Sequence, residues 1–318
     1  MSTENFAGLV DTVRKDIWRY AKLLDAVTID SQINCKQADF TPIEKMGDSA
    51  LWLKREDQSV TGSHKFRSLQ YQLSCLLDAG AEKSVLSSSG NAAISTSKLL
   101  PKNANLKIFV FLSKKTSPEK LAALEFSGNF VPILSDRPLR MAKYAIKHFE
   151  LKDLRPSQDS NAVIGFRSLG FEIFEQKPEI ENIFSFATSF ASIRGITEAY
   201  KILKNLGAIE KLPKIFAVNT TGKLAGELSG QVNLSSGHEW TPVDISDEEI
   251  LASKNKHPQL QTSLEGIASL AAAEKTKAKG ESLVVLTGRN WEGAKVDFEK
   301  FETAENFSEV DKIVAQHE

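Results

Sequence analysis

Leu51–Arg67 reads LWLKREDQSVTGSHKFR, and SSSGNAA follows at Ser87–Ala93. A short β-forming run, WLKRE, gives way to a small, hydroxyl-rich turn, Thr61-Gly62-Ser63. Lys65 stands just past that turn, where Phe66, Leu69, Leu73, Leu76 and Leu77 begin to recur at helical spacing. Gly80 offers this helix a C-terminal stop. A lysine at such a strand-to-helix junction, followed by an Asn loop, suggests one chemistry above others. Its amine would form an imine with an aldehyde cofactor, and the Asn loop would cover that cofactor's ring. Such a lysine must be partly deprotonated, which burial favours. An isolated lysine at a helix start is ordinarily solvated, so the reading rests on the two segments together.

The alternation continues outward. SVLSSS (84–89), KIFVFL (107–112), FVPIL (130–134), IFSFA (183–187), KIFAVN (214–219) and SLVVLT (282–287) read as strands. Helical patterns fall between them: through Ile94 and Leu99, from Ser117-Pro118 to Gly128, from Pro138 to Phe149, and up to Gly207. Ser246…Glu249 and Thr262…Glu265 have capping-box spacing. Strands separated by helices predict an α/β fold with parallel-type twisted sheets covered by helices. LKDLRPSQDSNA (151–162) is the most polar gap, where the chain is expected to cross between two lobes.

Composition sets limits. The 318 residues are 41% hydrophobic and 25% charged, enough for one large or two modest domains. A net charge of -1 gives no bulk attraction to nucleic acid or acidic membranes. Cys35 and Cys75 have no pairing pattern, which fits a reducing, cytoplasmic compartment. Asp11 and Asp16 interrupt the apolar positions of the N-terminal stretch, so no signal peptide is expected. No run of about eighteen apolar residues exists to span a membrane. His148, His238, His257 and His317 share no ligand spacing, so no metal site is expected. TTGKLAGELSG (220–230) lacks the Walker spacing, and Trp18 and Trp52 read as core.

From Ile17 to Asn290 the chain resembles a threonine synthase-like member of the pyridoxal-phosphate enzymes with the tryptophan synthase β-like fold (fold type II). IWRY (17–20) is similar to the family's early WRY, and FTPI (40–43) stands where it has Thr-Pro-Leu. LKREDQSVTGSHKFR is similar to its K-x-E-x-x-x-x-T-G-S-x-K-x-R, and SSSGNAA to its S-S-G-N-A-A loop. GFRSLGFEIFEQ (165–176), TSLEGIASLAA (262–272) and LTGRN (286–290) resemble later family segments.

The resemblance implies roles. Lys65 would hold pyridoxal 5'-phosphate and later act as general base. Asn91 would hydrogen-bond the ring's phenolic oxygen. Ser88, Ser89 and the amides of Gly90, Asn91 and Ala92 would hold the substrate carboxylate. Thr287 would set a neutral hydroxyl at the pyridine nitrogen, which steers chemistry toward elimination and replacement. ATSFASIRG (187–195) stands where the family has a Gly-rich phosphate loop at a helix start. Thr188, Ser189, Phe190, Ala191 and Ser192 occupy those places; the hydroxyls would compensate, and Phe190 is expected to crowd the phosphate. CKQAD (35–39) replaces a family Gly-Glu-Gly. His64 stands where Phe is common, and both packing and phosphate contact remain open for it.

The implied organisation is a small cofactor-covering domain over 66–155 and a large cofactor-binding domain over 1–65 and 156–318. The implied activity is carbon–oxygen lyase or replacement chemistry on a small amino acid, led by conversion of O-phosphohomoserine to threonine and phosphate in threonine biosynthesis. A threonine or serine dehydratase is the alternative within enzymes; Ala92 after Asn91, where dehydratases more often have His, favours the synthase. A cofactor-binding regulatory protein with little turnover is the alternative of another class, supported by the glycine-free loop. Arg55, Arg67, Arg167, Lys223 and Arg289 are candidates for a substrate phosphate. The expected partner is a small amino acid, with neither nucleic acid nor membrane, and a symmetric homodimer is the default assembly.

Overall fold

A computed structural model describes residues 3–35, 40–224, 239–293 and 295–317. Most of CKQAD, the second half of TTGKLAGELSG, and His238 lie outside the described residues. In chain order the elements are α1 (Thr3–Ala7), β1 (Ile43–Lys45), β2 (Leu51–Lys54), α2 (Lys65–Asp78), β3 (Lys83–Ser88), α3 (Asn91–Leu99) and β4 (Lys107–Ser113). There follow α4 (Pro118–Ala122), β5 (Phe130–Ser135), α5 (Pro138–His148), β6 (Lys152–Asp153), α6 (Asn161–Gln176), β7 (Asn182–Phe186) and α7 (Ala191–Asn205). The last are β8 (Lys214–Thr220), β9 (Trp240–Ile245), α8 (Asp247–Lys256), α9 (Leu264–Thr276), β10 (Ser282–Val285), β11 (Glu302–Thr303) and α10 (Phe307–Gln316).

Contacts divide the chain into two units. The first comprises 1–26, 35–67 and 163–290; the second comprises 27–34, 68–162 and 291–318. The first holds a six-stranded sheet ordered β1-β2-β10-β7-β8-β9, in which only β1–β2 is antiparallel. Its central strands β7 and β10 are buried at every residue, as a sheet covered on both faces requires. Phe184 and Phe216 stack across neighbouring strands at 4.3 Å, and the alanine-rich helix α9 packs on them through Ile267, Leu270 and Ala271. On the other helical layer, Gly195 lets α7 close on α6: an added Cβ would lie 2.5 Å from Phe166 Cβ and 2.7 Å from the Val163 carbonyl.

The second unit holds a five-stranded, all-parallel sheet ordered β11-β5-β4-β3-β6. Val85, Phe109, Phe111, Val131 and Ile133 form its core with Met141, Ala142 and Ala145 of α5 and Val310, Ile313 and Val314 of α10.

Two local expectations change, and one further strand appears. The helix begun at Ser117 ends at Ala122, well short of Gly128. The Glu125 amide turns to the Ser97 hydroxyl at 3.1 Å, and that tertiary bond competes with the helix ladder. The cap of α9 is Ser263, whose hydroxyl accepts from the Gly266 amide; Thr262 donates to the Gly288 carbonyl at 2.9 Å and so belongs to the preceding loop. Trp240–Ile245 is a strand despite Pro242, which is tolerated because β9 is an edge.

A buried ionic cluster sits beneath β2. Arg67 is 1% exposed and donates to both Glu56 and Glu172, with all four bonds at 2.8–2.9 Å. Lys54, fully buried, pairs with Glu172 at 2.5 Å and donates to the Thr41 carbonyl at 2.6 Å and Gln176 at 3.0 Å. Two cations meet two carboxylates, so no charge is left uncompensated. Removing one partner strands the others in a medium of low polarity, which costs about 3–5 kcal/mol. Glu172→Ala is therefore expected to lower the unfolding free energy by about that amount in a urea titration. Glu44→Ala, at the solvent-side carboxylate paired with Arg55, should cost less than about 1 kcal/mol.

Candidate active site

β2, β10 and β7 are adjacent and parallel, so their carboxyl ends lie at the same edge of the first unit's sheet. Each end leads into a segment singled out in the sequence. β2 runs on to Lys65, β10 to Thr287, and β7 to Thr188–Ser192. Open parallel sheets bind ligands at this edge, because loops and helix N-termini gather there.

Lys65 is the first residue of α2 and keeps partial surface exposure. Burial of its amine lowers its pKa to about 8, and the negative charge of Glu265 opposes that shift. Its amine stands 5.9 Å from the Phe166 ring centre. The turn before it is tied to the stretch after β10. The His64 amide donates to the Thr287 carbonyl at 2.9 Å, and His64 Nδ1 donates to the same oxygen at 2.7 Å. The Arg289 amide returns a bond to the Gly62 carbonyl at 2.8 Å. Lys65 and Thr287 are thus held in one register.

This geometry resolves the two roles left open for His64. A carbonyl only accepts, so Nδ1 carries the proton and Nε2 is left as an acceptor. Burial, and then the charge of Lys65, push the imidazole pKa down to about 3. A neutral ring with only an acceptor to offer is a poor phosphate ligand. His64 instead packs on Phe166, with ring centres 5.2 Å apart, and clamps Thr287.

Phe190 precedes α7 with φ 59°, the left-handed conformation that glycine adopts without cost. Its ring stacks on Trp240 at 5.4 Å. The side chain expected to crowd the loop has a place of its own, and the loop retains a glycine-like backbone without glycine. Phe190 at the N-cap gives α7 no side-chain cap, and the helix's N-terminal amides and dipole suit an anion. Ser192 lies buried in its first turn.

The Ser87–Ala93 segment belongs to the second unit. Ser88 Oγ accepts from the amides of Gly90 at 3.0 Å and Ala93 at 3.1 Å, which shapes the loop. Ser89 is exposed. Gly90 has φ 129°, a backbone that favours glycine, and an added Cβ would lie 2.5 Å from Lys120 Cδ, so the lysine stem would have to move aside. Asn91 opens α3, and its Oδ1 accepts from Trp291 Nε1 at 3.3 Å.

Sequence reasoning named Glu265 only for its capping-box spacing and did not single out Trp240, Lys120 or Trp291. Trp291 directly follows LTGRN and was within reach; nothing local marks Trp240 or Lys120. The arginines proposed for a substrate phosphate have other duties. Arg55 pairs with Glu44 and Asp57, and Arg167 with Asp25 and Glu198. Arg67 is in the buried cluster, and Arg289 donates to the Asp57 and Ser59 carbonyls. Lys223 is exposed. Among the described residues no group of three or more His, Cys, Asp or Glu could hold a metal, and no helix is long and apolar enough to cross a membrane.

The family model described as pyridoxal-phosphate dependent enzyme matches residues 37–233, more than half of the chain. The chain belongs to this family. A threonine synthase from Methanosarcina acetivorans is 26% identical over 228 residues, 65% of this chain and 53% of that protein, so the chain spans about half the length of that curated relative. Among solved structures, a pyridoxal 5'-phosphate-dependent aspartate racemase superposes with TM-score 0.64 at 20% identity, covering 82% of this chain and 92% of that one. Maize serine racemase gives 0.62 at 17% identity, covering 87% and 93%. A hydrogen sulfide-producing enzyme from Fusobacterium nucleatum gives 0.65 at 16% identity, covering 83% and 98%. These structures share the fold type II α/β architecture, and pyridoxal 5'-phosphate is the family's cofactor.

The residues present fit that group. A lysine with a lowered pKa meets the need for a neutral amine, and the N-terminal amides and dipole of α7 meet the need for a phosphate cradle. Two buried hydroxyls, Ser63 in the lysine turn and Ser185 on the strand leading into the 187–192 loop, have no hydrogen-bond partner among the described residues.

The lowered pKa has a measurable sign. The folded chain carries the full cost of burying the ammonium below pH 8. That cost is relieved as pH rises from about 8 toward the ordinary lysine value of 10.5, because the folded state loses the proton first. Capture of the cofactor aldehyde by cofactor-free protein should therefore accelerate through a midpoint near pH 8, read from the absorbance of the captured cofactor. A midpoint at the ordinary lysine value, or capture unaffected by Lys65→Ala, would contradict the assignment.

Proposed function

We propose that this chain is a carbon–oxygen lyase or replacement enzyme acting on a small amino acid, with O-phosphohomoserine as the leading substrate. The observation that carries the reading is the Lys65 amine, partly neutral near physiological pH and tied through His64 to Thr287. The threonine synthase relative supports the choice of substrate within this chemistry.

When bound, pyridoxal phosphate supplies the electron sink that acidifies the substrate's α-carbon. Lys65 Nζ would anchor the cofactor and, once displaced by the substrate's own amine, would take the proton from that α-carbon, the role for which a pKa near neutrality suits it. Thr188, Ser189 and Ser192, with the amides of Phe190 and Ala191, would hold the phosphate at the start of α7. Thr287 offers a neutral hydroxyl to the ring nitrogen, which favours leaving-group loss over transamination. Asn91 would donate to the ring's phenolic oxygen. Ser88, Ser89 and the amides of Gly90, Asn91 and Ala92 would hold the substrate carboxylate.

A substrate phosphate needs a cation, and the arginines are committed elsewhere. Lys120 lays its stem against Gly90 in the carboxylate loop, and no ion pair to it is found among the described residues. It is the residue we assign to the substrate's distal anion.

The second reading is threonine or serine dehydratase, for which Lys120 would be irrelevant. The reading as a cofactor-holding protein without turnover drew on the glycine-free loop. The left-handed Phe190 takes that support away by supplying the backbone conformation a glycine would give.

The test is a substrate panel in deuterated water, following phosphate release, oxoacid formation and α-proton exchange. O-phosphohomoserine should exchange its α-proton and release phosphate, and Lys65→Ala should slow exchange by at least about a hundredfold, the smaller end of general-base contributions. Lys120→Ala should raise KM for the phosphorylated substrate about tenfold, as loss of one charge-assisted contact does, with turnover at saturation little changed. Oxoacid formation from threonine or serine without phosphate release would favour the dehydratase. No exchange with any substrate on fully loaded protein would leave the regulatory reading.

A further inference from the structure

We propose that Trp291 is a positioning residue for Asn91, fixing which end of its amide is presented to the cofactor. The proposal rests on the reading of Asn91 as donor to the ring's phenolic oxygen.

The argument is one of donor and acceptor inventory. An indole Nε1–H only donates, so the atom that Trp291 meets at 3.3 Å must be the amide oxygen of Asn91. That bond removes the usual ambiguity of an Asn side chain. With Oδ1 occupied, the Nδ2 group and its two hydrogens point the other way, and a phenolic oxygen that ionises needs such a donor. An amide free to turn over would present its oxygen for part of the time, and two oxygens with no hydrogen between them repel.

The indole is itself held. Asn91 and Lys98 lie seven positions apart in α3, which places them on one face of the helix. Trp291 meets both: its N–H reaches Asn91, and the Lys98 ammonium stands 5.8 Å from its ring centre. The indole thus meets this helix face at two points, its N–H at Asn91 and its ring face at Lys98.

The test reads the bound cofactor's absorption bands against pH in the holoenzyme without substrate. A donor to the phenolic oxygen stabilises its ionised form and keeps the spectral midpoint low. Asn91→Ala should raise the midpoint by about one unit, a tenfold change in proton affinity. Trp291→Phe keeps one aromatic ring and loses the N–H together with the pyrrole ring that carries it. It should raise the midpoint by about half a unit, because the released amide samples both orientations. The double variant should match Asn91→Ala alone. Lys98→Ala, which loosens the other end of the indole, is a second arm expected to move the midpoint the same way by less. A shift in Asn91→Ala with none in Trp291→Phe or Lys98→Ala would overturn the role of Trp291 and leave Asn91 in place. Additive shifts in the double variant would likewise overturn it. No shift in Asn91→Ala would remove the reading of Asn91 itself, and the proposal with it.

Discussion

Arg67 bonded to Glu56 and Glu172 is the constraint on which the rest of the first unit's site depends. The guanidinium lies two residues past Lys65, on the same opening turn of α2, and its partners come from the loop after β2 and from α6. Burial works against the charge of Arg67; the two carboxylates more than offset it and raise its pKa. Such clusters are costly to assemble and tolerate almost no displacement, since any shift leaves a buried charge without its partner. The start of α2, and with it the lysine, is therefore placed by electrostatics as much as by packing.

The two lysines of this region show how one fold gives the same side chain opposite uses. Lys54 and Lys65 both have pKa values lowered by burial. Lys54 is met by a carboxylate, a carbonyl and an amide oxygen, so its ammonium is fully bonded and structural. Lys65 is offset by the charge of Glu265 and keeps partial exposure, so its pKa settles near 8 and its amine is chemically usable. Burial alone does not make a nucleophile; burial with incomplete compensation does.

The glycine-free loop shows a backbone conformation surviving the loss of the residue that usually supplies it. A left-handed residue with a side chain costs of order 1 kcal/mol relative to glycine. The stacking of Phe190 on Trp240, an aromatic contact worth about 0.5–1.5 kcal/mol, offsets that cost. Trp240 comes from β9, far along the chain, so the compensation is invisible in the loop itself.

Local sequence was sufficient for the alternation of strands and helices, for the opening of α2 at Lys65, and for picking out the segments proposed to carry the chemistry. Each depends on interactions within a few residues: apolar periodicity, a hydroxyl-rich turn, a Pro after a Ser. Tertiary structure alone decided the rest. Helix α4 stops at Ala122 because Ser97 captures the Glu125 amide, and His64 is a neutral clamp because the Thr287 carbonyl happens to face it. The candidate arginines are spent on carboxylates and carbonyls, from Asp57 two residues beyond Arg55 to Glu172 on α6, and the Asn91 amide oxygen accepts from a tryptophan two hundred positions away. These outcomes turn on which donor meets which acceptor in three dimensions, and linear spacing does not encode that meeting.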